Sequence, residues 1–152
     1  MDINEKKIQA SLITKFDYLH DKVRVQRDRR VFTDVPYEHF NSVLDFCMNS
    51  LGFVFLCTIS GLDDGSVLSF IYHLTRQDGI VLSLKISVPK EKAVIRSVID
   101  RFRGAEIYER ELMDLLGVKV EGLPEGKRYP LPDDWPKDQY PLRKDWKGTQ
   151  NA

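Results

Sequence analysis

The chain has 152 residues, 42% of them hydrophobic, with 23 Lys and Arg balanced by 23 Asp and Glu. That length and apolar content predict one domain with a real core plus an appendage, and the charge balance excludes a global field that would draw in nucleic acid or an anionic membrane. No apolar run approaches the ~18 residues of a membrane span, and the opening MDINEKKIQA lacks a signal peptide's apolar segment, so the expectation is a soluble protein kept in the cytoplasm.

Residues 3–20 carry Ile8, Leu12, Phe16 and Leu19 at helical spacing, which predicts an opening amphipathic helix laid on a sheet. Lys22–Phe32 first alternates and then gathers Arg27, Arg29 and Arg30, and so reads as an edge strand with a basic end. With Arg24, these arginines form either a nucleic-acid-binding patch or a solvated rim that blunts a sheet edge. Thr33-Asp34-Val35-Pro36 supplies a cap candidate and an early-turn proline for a second helix, whose face holds Tyr37, Phe40, Val43, Leu44, Cys47 and Leu51 and which Gly52 closes.

Three strands follow, Phe53–Ser60, Val67–Thr75 and Ile80–Val88, separated by Gly61-Leu62-Asp63-Asp64-Gly65 and by the hairpin signal Asp78-Gly79. An antiparallel meander is expected. Ile80, Leu82, Leu84, Ile86 and Val88 share one face of its last strand. The Asp63-Asp64-Gly65 segment reads as a turn, and Cys47 and Cys57 as two buried free thiols. Pro89 is placed at the start of a third helix bearing Val94, Ile95, Val98, Ile99 and Phe102, with Gly104 separating it from a fourth.

In that fourth helix Ile107, Tyr108, Leu112, Leu115 and Leu116 fall on one broad arc, and Glu111 falls inside it, where an ionised carboxylate needs a partner or several donors. Arg110 and Asp114 are one turn apart and suit an i,i+4 surface pair, and Gly117 stands where a left-handed cap belongs. Beyond it lie five of the seven prolines and both tryptophans. Proline-rich chain of this kind is neither helix nor inner strand, and it commonly lies along another surface. Tyr129, Trp135, Tyr140 and Trp146 bury too little area to fix such a segment unaided, so Trp135 and Trp146 are expected to be hydrated until a partner arrives.

The sum is an α+β (mixed α/β) domain over residues 1–122, helices packed on one mixed sheet that contains an antiparallel meander, followed by an extended Pro- and aromatic-rich arm over 123–152. Catalytic equipment is scarce. His20, His39 and His73 show no ligand spacing, no glycine-rich phosphate loop is present, and Glu109 and Glu111 point about 200° apart on a helix. No metal, cofactor or catalytic site is therefore expected.

Glu109-Arg110-Glu111 followed by Asp114, Leu115, Leu116 and Gly117, then Leu131-Pro132-Asp133-Asp134-Trp135 and Pro141-Leu142-Arg143-Lys144-Asp145, resembles the signature of the 30-kilodalton subunit of respiratory complex I and its relatives in membrane-bound nickel–iron hydrogenases. Weaker resemblance reaches back through Arg29–Phe32, Phe53–Asp64 and Ile71-Tyr72-His73. The resemblance implies a subunit without a redox centre, peripheral on the cytoplasmic side of the membrane, docked on a large catalytic subunit and a small iron–sulfur subunit. Its partner-binding residues would be Glu109, Arg110, Glu111 and Asp114 on the helix, and Tyr129, Asp133, Asp134, Trp135, Tyr140, Arg143, Lys144, Asp145 and Trp146 on the arm. Gly122-Leu123-Pro124 stands where the NADH-dehydrogenase branch usually has Gly-His-Pro, and the arm is short, so the resemblance is nearer to the energy-converting hydrogenases, with a complex I subunit as the alternative.

Overall fold

The computed structural model describes residues 5–148. Its helices are α1 (Glu5–Lys15), α2 (Phe40–Asn49) and α3 (Ala105–Leu116). Its strands are β1 (Val23–Arg27), β2 (Arg30–Asp34), β3 (Phe55–Asp63), β4 (Val67–Thr75), β5 (Val81–Pro89), β6 (Val94–Arg96) and β7 (Lys119–Glu121). Five strands form a mixed sheet in the order β1-β2-β5-β4-β3, with β2 antiparallel to β1 and parallel to β5, while β6 and β7 form a separate parallel pair. The chain divides into two compact units, residues 1–58 with 71–86 and residues 59–70 with 87–152.

In the first unit Ile8 and Leu12 of α1 and Phe40, Val43, Leu44 and Cys47 of α2 are buried, as are Tyr72, Leu74, Leu82, Leu84 and Ile86 of the strands. The alternation expected of β5 is present. The Phe40 and Tyr72 rings meet at 4.6 Å between centroids. Several local details differ from the sequence reading. The opening helix ends at Lys15, Asp17–Leu19 forms a single 3-10 turn, and positions 3 and 4 lie outside the described residues. The basic stretch is a hairpin rather than one strand, because Arg29 adopts φ 57 and reverses the chain. Arg24 lies 4.2 Å over the Phe32 ring and 3.4 Å from Asp34, so part of that basic charge is used inside the hairpin. Cys47 is buried and Cys57 is exposed, since the β3 positions from Phe55 to Cys57 alternate out to solvent.

In the second unit the segment after Pro89 is not a helix. It makes a 3-10 turn (Lys90–Lys92) and then strand β6, which pairs Val94 with Lys119, Ile95 with Val120 and Arg96 with Glu121. The β-branched Val94 and Ile95 favour the pleated geometry, and β7 provides a partner that helical spacing in the sequence does not reveal. Helix α3 ends where expected, at Gly117 with φ 69, whose N–H donates to the Met113 carbonyl. Its buried line runs Ala105, Glu109, Leu112 and Leu116, while Ile107 is 48% exposed. Gly61 of β3 lets that line come close: a Cβ there would collide with Leu116 and lie 2.6 Å from Leu112.

Overpacking of this kind costs about 1–3 kcal/mol. Gly61→Val is therefore expected to lower the urea midpoint with an unchanged m-value, and a midpoint equal to the parent's would show that the helix does not rest on β3 at this point.

Candidate functional site

The polar groups of α3 and of residues 123–148 converge within the second unit. Glu109, fully buried, accepts from the Ser97 hydroxyl at 2.6 Å and from the Val98 N–H at 2.7 Å. Ser97 in turn accepts from the Ile99 N–H at 3.1 Å. The carboxylate thus caps the turn that leads from β6 to α3. Burial pushes the Glu109 carboxyl above the ordinary glutamate range, against the lowering effect of its two donors. Glu111, expected to be the interior carboxylate, is only half-buried, and its carboxylate makes no hydrogen bond among the described residues. The apolar Ile107 misplaces the arc, because its side chain faces solvent.

Asp114 is covered by the C-terminal segment rather than by the core. It accepts from Arg128 Nε at 3.0 Å and from the Leu131 N–H at 3.1 Å, and Arg128 also donates to the Trp135 carbonyl at 3.0 Å. The expected pairing of Asp114 with Arg110 is replaced by this one. Arg110 bonds Glu106 Oε1 at 2.9 Å and the Pro124 carbonyl at 2.7 Å, and a Cβ on Gly126 would collide with the Arg110 guanidinium. At the end of α3, where the last carbonyls lack partners inside the helix, the Leu142 N–H donates to Leu115 O at 3.0 Å and Arg143 Nε to Leu116 O at 2.6 Å. The Tyr140 ring lies against Gly117, where a Cβ would collide with it, and Arg143 sits 4.8 Å over that ring.

Asp63, at the end of β3, completes the set. One of its oxygens accepts from the Gly65 N–H at 2.9 Å, and the other from Lys90 Nζ at 2.7 Å and the Lys144 N–H at 2.8 Å. Lys90 also reaches Asp145 at 3.0 Å. Burial alone would raise the Asp63 carboxyl, but the Lys90 ammonium and the two backbone donors outweigh it and hold it at about 2. The sequence shows Asp63 as a turn former, which it is toward Gly65; nothing local reveals its second role. Trp135 and Trp146 donate their indole N–H groups to the backbone and side-chain oxygens of Gln139, each at 2.9 Å, with ring centroids 6.1 Å apart.

Residues 123–148 contain no helix or strand, and every one of them retains some exposure. They do not leave the unit, and both tryptophans are half-buried with bonded N–H groups, contrary to the expectation of hydrated indoles. Counting aromatic area alone omits the hydrogen bonds and ion pairs that hold the segment. Of the anticipated contact residues, Arg110, Asp114, Tyr140, Arg143, Lys144 and Asp145 are drawn into these ties, while Tyr129, Asp133 and Asp134 remain exposed. Among the described residues no group of three or more His, Cys, Asp or Glu converges as a metal-ligand set, and no helix is long and apolar enough to cross a membrane.

A family model described as the 30 Kd subunit of respiratory-chain NADH dehydrogenase matches residues 33–152. A subunit of the F(420)H(2) dehydrogenase of Methanosarcina mazei is 32% identical over 152 aligned residues, which span 98% of this chain and 96% of that protein. The beta subunit of the membrane-bound hydrogenase of Pyrococcus furiosus is 37% identical over 91 residues, 57% of this chain and 53% of the relative, so the match spans about half of that protein. Among solved structures, a chain of the membrane-bound sulfane sulfur reductase, an archaeal respiratory membrane complex, has a TM-score of 0.82 and 28% identity, covering 93% of this chain and 84% of its own.

Two substitutions separate charge from hydrogen bonding at Glu109. Glu109→Ala leaves the Val98 N–H and the Ser97 hydroxyl without their partner and is expected to cost about 2–4 kcal/mol. Glu109→Gln retains an acceptor for Val98 and removes the buried charge. A raised carboxyl stabilises the fold fully below its unfolded pKa, and that contribution is lost as pH rises through the folded value. The Gln variant should therefore match or exceed the parent at pH 7 in a denaturant titration, and a loss equal to that of the Ala variant would contradict this account.

Asp63 has the opposite sign. Its contribution is present above the unfolded value of 3.8 and disappears as pH falls through about 2. The difference in denaturation midpoint between the parent and Asp63→Asn should be full at neutral pH and shrink as pH falls from 3.8 toward 2; a difference independent of pH would refute the carboxylate's role.

Proposed function

The chain belongs to the 30 Kd subunit family of the respiratory-chain NADH dehydrogenase, and from that premise we propose that it is a docking subunit that binds and orients its neighbours rather than reacting itself. It is a subunit of the type found in complex I-related membrane-bound complexes. The neighbours proposed are the large catalytic subunit and the small iron–sulfur subunit, with the chain peripheral on the cytoplasmic face.

The observation that carries the reading is the state of residues 123–148. They are tied to Asp63, Arg110, Asp114 and the end of α3, yet not one of them is buried. Holding irregular chain in one conformation costs roughly 1–2 kcal/mol per residue, so an ordered segment that covers so little of its own core is best understood as a surface prepared for another protein. Tyr129, Asp133, Asp134 and Leu142 project from it, with Tyr129 43% and Leu142 53% exposed. An aromatic and an aliphatic anchor beside carboxylates is the composition of an interface.

The docking role is common to a hydrogenase, an F(420)H(2) dehydrogenase and a complex I reading, which differ in electron donor. The hydrogenase expectation is the narrower form of the proposal. Nickel in a complex recovered from native membranes through this chain supports it, and flavin with NADH oxidation supports the complex I form.

Asp133 and Asp134 make no hydrogen bond among the described residues, so reversing both to lysine leaves the fold intact. The double variant, expressed in place of the parent and purified through a tag, should recover at least tenfold less of the large subunit, or about 1.4 kcal/mol of binding. Circular dichroism and melting should be unchanged. Full recovery would remove residues 133 and 134 from the interface.

A further inference from the structure

A second surface, on the outer side of α3, carries an inference that rests on the docking role just proposed and specifies the chemistry of one partner. Ile107, Arg110 and Met113 lie along one row of the helix, and residues 126–129 run beside it as a wall. Two adjoining grooves, of about 490 and 210 Å³, lie between row and wall. Gly126 keeps the wall close, since a side chain there would collide with Arg110.

The surface has an apolar part: Ile107 is 48%, Met113 36% and Tyr129 43% exposed. The charge left unpaired on it is positive. Arg110 and Arg128 are committed to Glu106 and Asp114. Arg103 and Lys127, both exposed, have no ion-pair partner among the described residues and face the same groove as Ile107 and Tyr129.

We infer that this groove takes an extended acidic segment of a partner subunit, with an Asp or Glu side chain set between Arg103 and Lys127 and an apolar neighbour seated on Ile107 and Tyr129. From Glu106 to Asp114 the helix offers roughly 12 Å, the reach of about four extended residues. The unpaired cations select a carboxylate, and the exposed apolar residues select against a bare anion. A second copy of the chain is disfavoured, because a two-fold contact through this face would gather two sets of the unpaired cations Arg103 and Lys127 in one interface with no added carboxylate.

The test uses the full chain in its native complex, purified from membranes in detergent, and as the isolated full-length chain. N-hydroxysuccinimide acetate should acetylate Lys127 at least tenfold more slowly in the complex than in the isolated chain. A carbodiimide should join Lys127 to an Asp or Glu of another subunit, identified by mass spectrometry. Lys127→Glu and Ile107→Glu, both surface changes with circular dichroism as the check on folding, should each cut recovery of that subunit at least tenfold. Equal acetylation in the two samples, or a cross-link confined to this chain or to a second copy, would overturn the inference. Protection present in intact membranes and lost in the solubilised complex would assign the groove to lipid and overturn it equally. A chain that co-purifies with its complex while Lys127 stays fully reactive refutes the groove and leaves the docking role standing, whereas failure to co-purify refutes both.

Discussion

Buried or half-buried polar groups must find partners, and in the second unit that requirement is met by a segment with almost no regular structure. The carboxylates of Asp63 and Asp114 and the last carbonyls of α3 would each cost about 1–3 kcal/mol if left unpaired. Residues 128–144 supply the donors: the Arg128 and Arg143 guanidinium groups and the N–H groups of Leu131, Leu142 and Lys144. The dependence is mutual, because the segment buries too little apolar area to hold itself, and the helix end and the Asp63 turn are incomplete without it. Gly117 sits at the centre of this arrangement, with a left-handed φ that ends the helix and a bare Cα against which Tyr140 lies.

Much of the fold could be read from residue patterns, and the failures have definite causes. The strand Val67–Thr75, the alternation of β5 and the glycine stop of α3 all depend on local chemistry and were legible. The phase of α3 was not, because Ile107 counts as interior on any apolar scale while the structure exposes it and buries Glu109, whose donors Ser97 and Val98 come from a turn 12 and 11 residues earlier that no periodicity reveals. The β-branched run after Pro89 fits both a helix face and a strand, and the choice was made by the distant β7, where Lys119 meets Val94. Long-range pairing also hides the second role of Asp63: Lys144, its partner, is 81 positions distant.

The same facts bear on function. Family motifs in such a chain are often taken as contact residues, yet here Asp114, Arg143 and Lys144 serve first to shape the surface. Asp133 and Asp134 stay exposed on one stretch, and Arg103, Ile107, Lys127 and Tyr129 line a groove whose unpaired charge is of the opposite sign. Under the docking role proposed above, acidic exposed positions on one stretch and unpaired cations on another would let the chain discriminate between two neighbours by charge.

Both tryptophans lie in the C-terminal segment, so acrylamide quenching of tryptophan emission in the isolated, full-length chain tests directly whether the segment is held by its own unit. With Trp135 and Trp146 half-buried and bonded to Gln139, the emission should lie to the blue of free tryptophan and quench more slowly, and Asp114→Asn should move both toward the free values. Red emission quenched as fast as free tryptophan in the unaltered chain would contradict the account.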